Sequence, residues 1–171
     1  MTNDQLVGTW KLVSASSTTP AGVRNETPYG SGPSGLLTYT GDGRISTVIS
    51  YGGRKPLSFG RSGAALMEEQ AEAFKTCLAY AGRYTLTGDQ VIHHVEVSSI
   101  QNYANKDLVR TVKFEGDQLT LVTPPMPVNG EIQTVALTWQ RLISSGFSGK
   151  RTDCSANDKD FKARPEESSV P

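Results

Sequence analysis

The chain has 171 residues, enough for one domain with a real core, and its 17 basic and 17 acidic side chains cancel. That balance offers no broad field for nucleic acid or an anionic membrane, and no run approaches the roughly 20 apolar residues that span a bilayer. An N-terminus without signal-peptide character and two unframed cysteines, Cys77 and Cys154, place the protein in a reducing, cytoplasmic setting, where the acceptor pattern Asn25-Glu26-Thr27 carries no weight.

The first element predicted is a half-buried strand over residues 6–13, where apolar and polar residues alternate around Gly8-Thr9-Trp10. Residues 16–34 are dense in Ser, Thr, Gly and Pro and read as a long loop, a common form for a lid or binding loop. Gly41-Asp42-Gly43 then joins two alternating runs, residues 35–40 and 44–51, into a hairpin. After a second loop at 52–63, one helix is predicted over 64–81. Met67, Ala71, Phe74, Leu78 and Ala81 recur along it at helical spacing, as a core-facing stripe that could also cap a barrel, and Gly82 ends it. Cys77 beside that stripe reads as a small buried hydrophobe. Five further strands follow at 83–87, 90–98, 107–115, 118–123 and 133–142, linked mostly by tight turns. Two of those turns, Thr87-Gly88-Asp89-Gln90 and Glu115-Gly116-Asp117-Gln118, are near copies.

Eight strands joined to their sequence neighbours predict an all-β, up-and-down antiparallel barrel with one helix, occupying residues 1–145. Residues 146–171 are charged and nearly free of aliphatics, as a flexible tail is, with Cys154 exposed in it. Trp10 in the first strand and Arg141 in the last suggest closure, the Arg lying across a ring that plugs the narrow end.

Gly8-x-Trp10 with a late Arg141 resembles the lipocalin, or calycin, signature. A more specific set resembles the small bacterial and fungal lipocalin-like domain family across about residues 6–142. It comprises Gly35-Leu36-Leu37-x-Tyr39, Asp42-Gly43-Arg44-Ile45-Ser46, Glu68-Glu69 and Ala79-Tyr80-x-Gly82-x-Tyr84-Thr85. His93-His94-Val95, Arg110, Gly116-Asp117-x-Leu119-Thr120-Leu121 and Trp139-x-Arg141 complete it. The chain departs from the family where a Pro usually follows the His strand; here it reads Ile100-Gln101-Asn102-Tyr103. The resemblance implies a small-molecule-binding barrel, in a family with members in natural-product pathways.

Alternation assigns the inward faces. Arg110 shares one with Leu108, Val112 and Phe114; His93 shares one with Val91, Val95 and Val97, while His94 goes with Glu96 and Ser98. Tyr84 lies with Leu86, and Tyr39 with Leu37. An Arg among aliphatics needs a partner or a ligand anion, which makes Arg110 the first candidate. His93 is either a proton carrier or a core histidine bonded to a Tyr hydroxyl or backbone carbonyl. Tyr39, Tyr84, Leu37, Val95, Val112 and Phe114 complete the expected ligand contacts. Tandem histidines face opposite ways in a strand, so no metal is expected, and neither a nucleophile elbow nor a phosphate loop points to a cofactor.

Two functions fit these residues. In one, the barrel is a cofactor-independent cyclase or isomerase of a polyketide- or terpenoid-like intermediate, with Arg110 stabilising developing charge and His93 exchanging protons. In the other, the same groups anchor a small hydrophobic ligand in a carrier or sequestering protein. The interior Arg and His tilt the sequence reading towards catalysis. No nucleic acid or membrane partner is expected, and a homodimer stays open.

Overall fold

The structure is a computed structural model and describes residues 2–58, 67–128 and 130–142. Helix α1 (Asn3–Leu6) leads into strands β1 (Gly8–Thr18), β2 (Arg24–Asn25), β3 (Ser34–Tyr39) and β4 (Arg44–Ser50). Helix α2 (Met67–Lys75) precedes β5 (Cys77–Thr87) and β6 (Gln90–Ser98); a helical turn at Gln101–Tyr103 then leads to β7 (Asp107–Glu115). The last strands are β8 (Gln118–Val122), β9 (Met126–Val128) and β10 (Glu131–Leu142). Strands β1, β3 to β8 and β10 pair antiparallel in that order, and β10 returns to pair with β1. The result is the expected eight-stranded up-and-down barrel, with β2 and β9 as short ribbons on β1 and β10.

The connections divide by length. Tight turns join β3 to β4, β5 to β6 and β7 to β8 at the end where Gly8 pairs with Tyr39. The longer connections gather at the opposite end, around Tyr29, Tyr51, α2 and Tyr103. One end is therefore sealed by short turns and the other is surrounded by loops. Between them the inward residues form a single core that includes Trp10, Leu37, Tyr39, Leu119 and Trp139.

Three expectations need correction. Strand β1 continues through Thr18, into the stretch read as a loop. A bulge between Leu12 and Ser14 resets its alternation, so Ala15 and Ser17 turn inward and pair along β10, which outweighs the weak strand preference of serine.

The helix stops at Lys75, and none of its residues is buried; Met67 is 83% exposed and Phe74 51%. Residues 77–82 are strand instead, paired with β4 from Ser50↔Cys77 to Ile45↔Gly82. Helical spacing through Phe74, Leu78 and Ala81 coexists with alternation through Tyr80, Gly82 and Tyr84, and the pairing with β4 decides. Cys77 is thus a half-buried thiol at the start of a strand, not part of a helical stripe.

Val97 is the third correction, being 64% exposed. The register slips by one residue between Ala81 and Gly82, so β6 faces inward through Val91, His93 and Val95 and then turns over. Gly82 makes this possible, because a Cβ there would lie 2.0 Å from the carbonyl oxygen of His94.

The expected tail at 146–171, with Cys154, lies outside the described residues. Among the described residues no helix is long and apolar enough to cross a membrane.

Candidate functional site: a cavity above a tyrosine–histidine layer

At the sealed end the Arg141 guanidinium lies 4.0 Å from the centre of the Trp10 ring. It donates to the Val7 carbonyl at 2.7 Å and also to that of Gln5. Gly8 lets the chain pass beneath it: its φ is +138°, and a Cβ would come within 2.8 Å of the guanidinium. Trp10 is fully buried and donates its indole N–H to the Leu6 carbonyl at 2.8 Å. Through these bonds Arg141 staples the N-terminal segment across the plug.

Above the plug sits a polar layer. His93 on β6 is fully buried between Tyr39 of β3, whose hydroxyl is 2.6 Å from Nε2, and Tyr80 of β5, whose hydroxyl is 2.9 Å from Nδ1. Burial, helped by the nearby Arg110 and His94, lowers the His93 pKa to about 3, so the ring is neutral at physiological pH. Burial likewise pushes both tyrosine hydroxyls up, so they remain protonated. The Arg110 guanidinium lies near this layer, and its Nη1 donates to the Val109 carbonyl at 2.7 Å.

The layer borders a cavity of about 510 Å³ whose lining includes residues of the loop end. Its walls carry Tyr29, Tyr51, Phe74, Tyr80, Tyr103 and Trp139, and among the described residues Arg110 and Lys75 are its charged members, with no carboxylate. Tyr29 and Tyr51 stack with ring centres 4.5 Å apart, and burial holds the Tyr29 hydroxyl strongly protonated. The Trp139 indole N–H is buried without a partner among the described residues. Such a site is apolar and aromatic over most of its surface, with donors at a few points, a pattern suited to holding one small ligand by shape.

Of the residues expected around a ligand, Arg110 and Leu37 line this cavity. His93 is separated from it by Tyr80. Tyr39, Tyr84, Val95 and Val112 belong to the packed core and are not among the lining residues. Tyr84 donates to the Thr40 carbonyl at 3.1 Å, and Phe114 packs 6.1 Å from Trp10. Alternation identifies an inward side chain but does not say whether it meets space or another side chain. His94 faces outward, 2.7 Å from Asp107 and 3.0 Å from Thr85. Among the described residues no group of three or more metal-ligating side chains comes together.

Tyr80 is the main residue that sequence reasoning passed over, because it fell within the predicted helix. Tyr29 had a signal: it belongs to the loop marked as a binding loop. Tyr51 closed a predicted strand, and Tyr103 lay in the segment noted for lacking Pro.

Residues 7–142 match the family model described as a lipocalin-like domain. The 4'-hydroxy-3'-methoxypropiophenone carrier protein ppsC of Aspergillus oryzae is 38% identical over 84 residues, covering 44% of this chain and 76% of the relative. Among solved structures, a lipocalin-like protein from Bacteroides uniformis is 13% identical, with a TM-score of 0.41 over 81% of this chain and 99% of its own. Rv2717c from M. tuberculosis is also 13% identical, with a TM-score of 0.35 over 81% and 94%.

Proposed function

The chain belongs to the lipocalin-like domain family, and on that premise we propose that it binds and carries a small aromatic molecule bearing a ketone or phenol oxygen. The observation that carries this reading is the aromatic-walled cavity of about 510 Å³ whose charged residues, Arg110 and Lys75, are both cationic. That volume falls within the range of about 300–1,000 Å³ usual for single small-molecule sites. Aromatic walls favour a planar ring by offset or edge contacts. Arg110 supplies fixed donors to an oxygen on that ring or its side chain. The name of the Aspergillus oryzae relative gives it a ligand of this chemistry, an aromatic ketone with a phenolic hydroxyl.

Carriage is favoured over the alternative of a cyclase or isomerase by the state of His93. A general base works best with a pKa near the operating pH and within reach of the substrate. His93 has a pKa lowered to about 3 and both ring nitrogens engaged by tyrosines. Arg110 remains on the cavity wall in either reading.

Calorimetric titration with para-hydroxyphenyl ketones tests the proposal, with mass analysis of the recovered ligand. Saturable binding and unchanged ligand are expected. Arg110→Met should weaken binding roughly 10- to 100-fold, as loss of a charged hydrogen bond does. Absence of saturable binding would refute the reading, and conversion of a ligand to product would replace carriage by catalysis.

A further inference from the structure

The polar groups at the inner wall of the cavity fix one another's hydrogens. Tyr39 is 1% exposed, and among the described residues its hydroxyl has one hydrogen-bond partner, His93 Nε2 at 2.6 Å. If that hydroxyl accepted, its own hydrogen would be buried without an acceptor, which is the costlier way to leave a polar group unpaired. Tyr39 therefore donates, and Nε2 is the bare nitrogen. A neutral imidazole carries one hydrogen, so it sits on Nδ1 and is donated to the Tyr80 oxygen 2.9 Å away. The Tyr80 oxygen thus accepts from His93, and among the described residues its own hydrogen has no acceptor, since the other ring nitrogen is taken by Tyr39. Tyr80 lines the cavity, so that hydrogen is available to a ligand there.

We propose that Tyr80 is the specificity-determining donor of the cavity, aimed by His93 as a positioning residue, so that the site selects a ligand with a carbonyl oxygen over the same skeleton lacking one. The proposal rests on the binding reading above and names the group that discriminates within it. A ligand without an acceptor at that point would leave the Tyr80 O–H buried and unpaired. Trp139 also lines the cavity, and its N–H, which can only donate, is buried without a partner among the described residues. The register sets Trp139 beside Leu119, which faces Phe114, four residues along β7 from Arg110. Among the described residues the lining includes no carboxylate to answer the Tyr80 donor.

Two measurements on the whole protein decide the matter. Nitrogen NMR of the histidine rings, with His94→Gln to assign the signals, should show His93 protonated at Nδ1 and bare at Nε2 at neutral pH. The reverse tautomer, or an imidazolium, overturns the proposal without reference to any ligand. Calorimetry then compares para-hydroxypropiophenone with para-propylphenol, which keeps the ring, the phenol and the chain but lacks the carbonyl. The parent should prefer the ketone roughly 3- to 10-fold, the worth of one hydrogen bond. Tyr80→Phe should erase that preference. A preference that survives Tyr80→Phe, or a parent that binds both probes equally, overturns the proposal and leaves the binding reading standing. A parent that binds neither probe defeats the binding reading and the proposal with it.

Discussion

Single residues in this barrel take their chemistry from what surrounds them, and His93 shows how far that can go. In the unfolded chain an imidazole gains its proton near pH 6.5, whereas the folded one resists until about pH 3. Between those values the unfolded state holds more protons. The contribution of the neutral ring to stability is therefore complete above pH 6.5 and falls as the pH drops through that window. The slope is up to about 1.4 kcal/mol per pH unit, so about 2 kcal/mol should be lost between pH 6.5 and pH 5. Chemical denaturation at those two pH values measures it, and equal midpoints would show that His93 is not held neutral. The sequence could place His93 on an inward face, since Val91 and Val95 flank it at a spacing of two. It could not say that Tyr39 and Tyr80 would grip both nitrogens, because those partners lie 54 and 13 residues away.

At the scale of elements, β5 and β6 illustrate a local signal overruled by pairing. Ala79-Tyr80-Ala81-Gly82 has no strong preference of its own, and the apolar spacing from Phe74 favours a helix. Strand β4 supplies a complete ladder of partners, and the segment joins it. Gly82 is then needed for close approach, since a Cβ would lie 2.0 Å from the His94 carbonyl oxygen and 2.9 Å from the Glu96 nitrogen. Both are backbone atoms and cannot swing aside. Gly82→Ala is expected to destabilise the barrel by about 1–3 kcal/mol or more, as overpacking does. Thermal unfolding of the variant checks this, and an unchanged midpoint would mean that the bulge yields freely. Because the same bulge turns Val97 outward and sets Ser98 opposite Tyr80, the variant should also disturb ketone binding.

For the molecule as a whole, closure is the decisive event. Trp10 pairs across to Arg141 where β1 meets β10, and the ring is fully buried. Trp10→Ala removes a buried aromatic, the surface over which the Arg141 guanidinium lies and the donor to the Leu6 carbonyl. A loss of roughly 3–5 kcal/mol is expected, seen as a lower denaturant midpoint. A variant as stable as the parent would show that the sheet closes without its plug. The loop end is built from a different set of residues, the tyrosines of the long connections that line the cavity.

The sequence by itself determined the class of fold, the number of barrel strands and the Trp10–Arg141 closure. Those follow from alternation, turn residues and the two ends of the chain, all of which are local or terminal signals. The membership of Arg110 and Leu37 in the cavity wall was legible for the same reason, since each faces inward in a simple alternating strand. Only the tertiary structure decided where the interior is hollow. An inward face looks the same whether it meets packed side chains, as Tyr39, Tyr84, Val95, Val112 and Phe114 do, or open space, as Tyr80 does. That distinction depends on how side chains from several strands and loops add up across the barrel, and no window of sequence contains the sum.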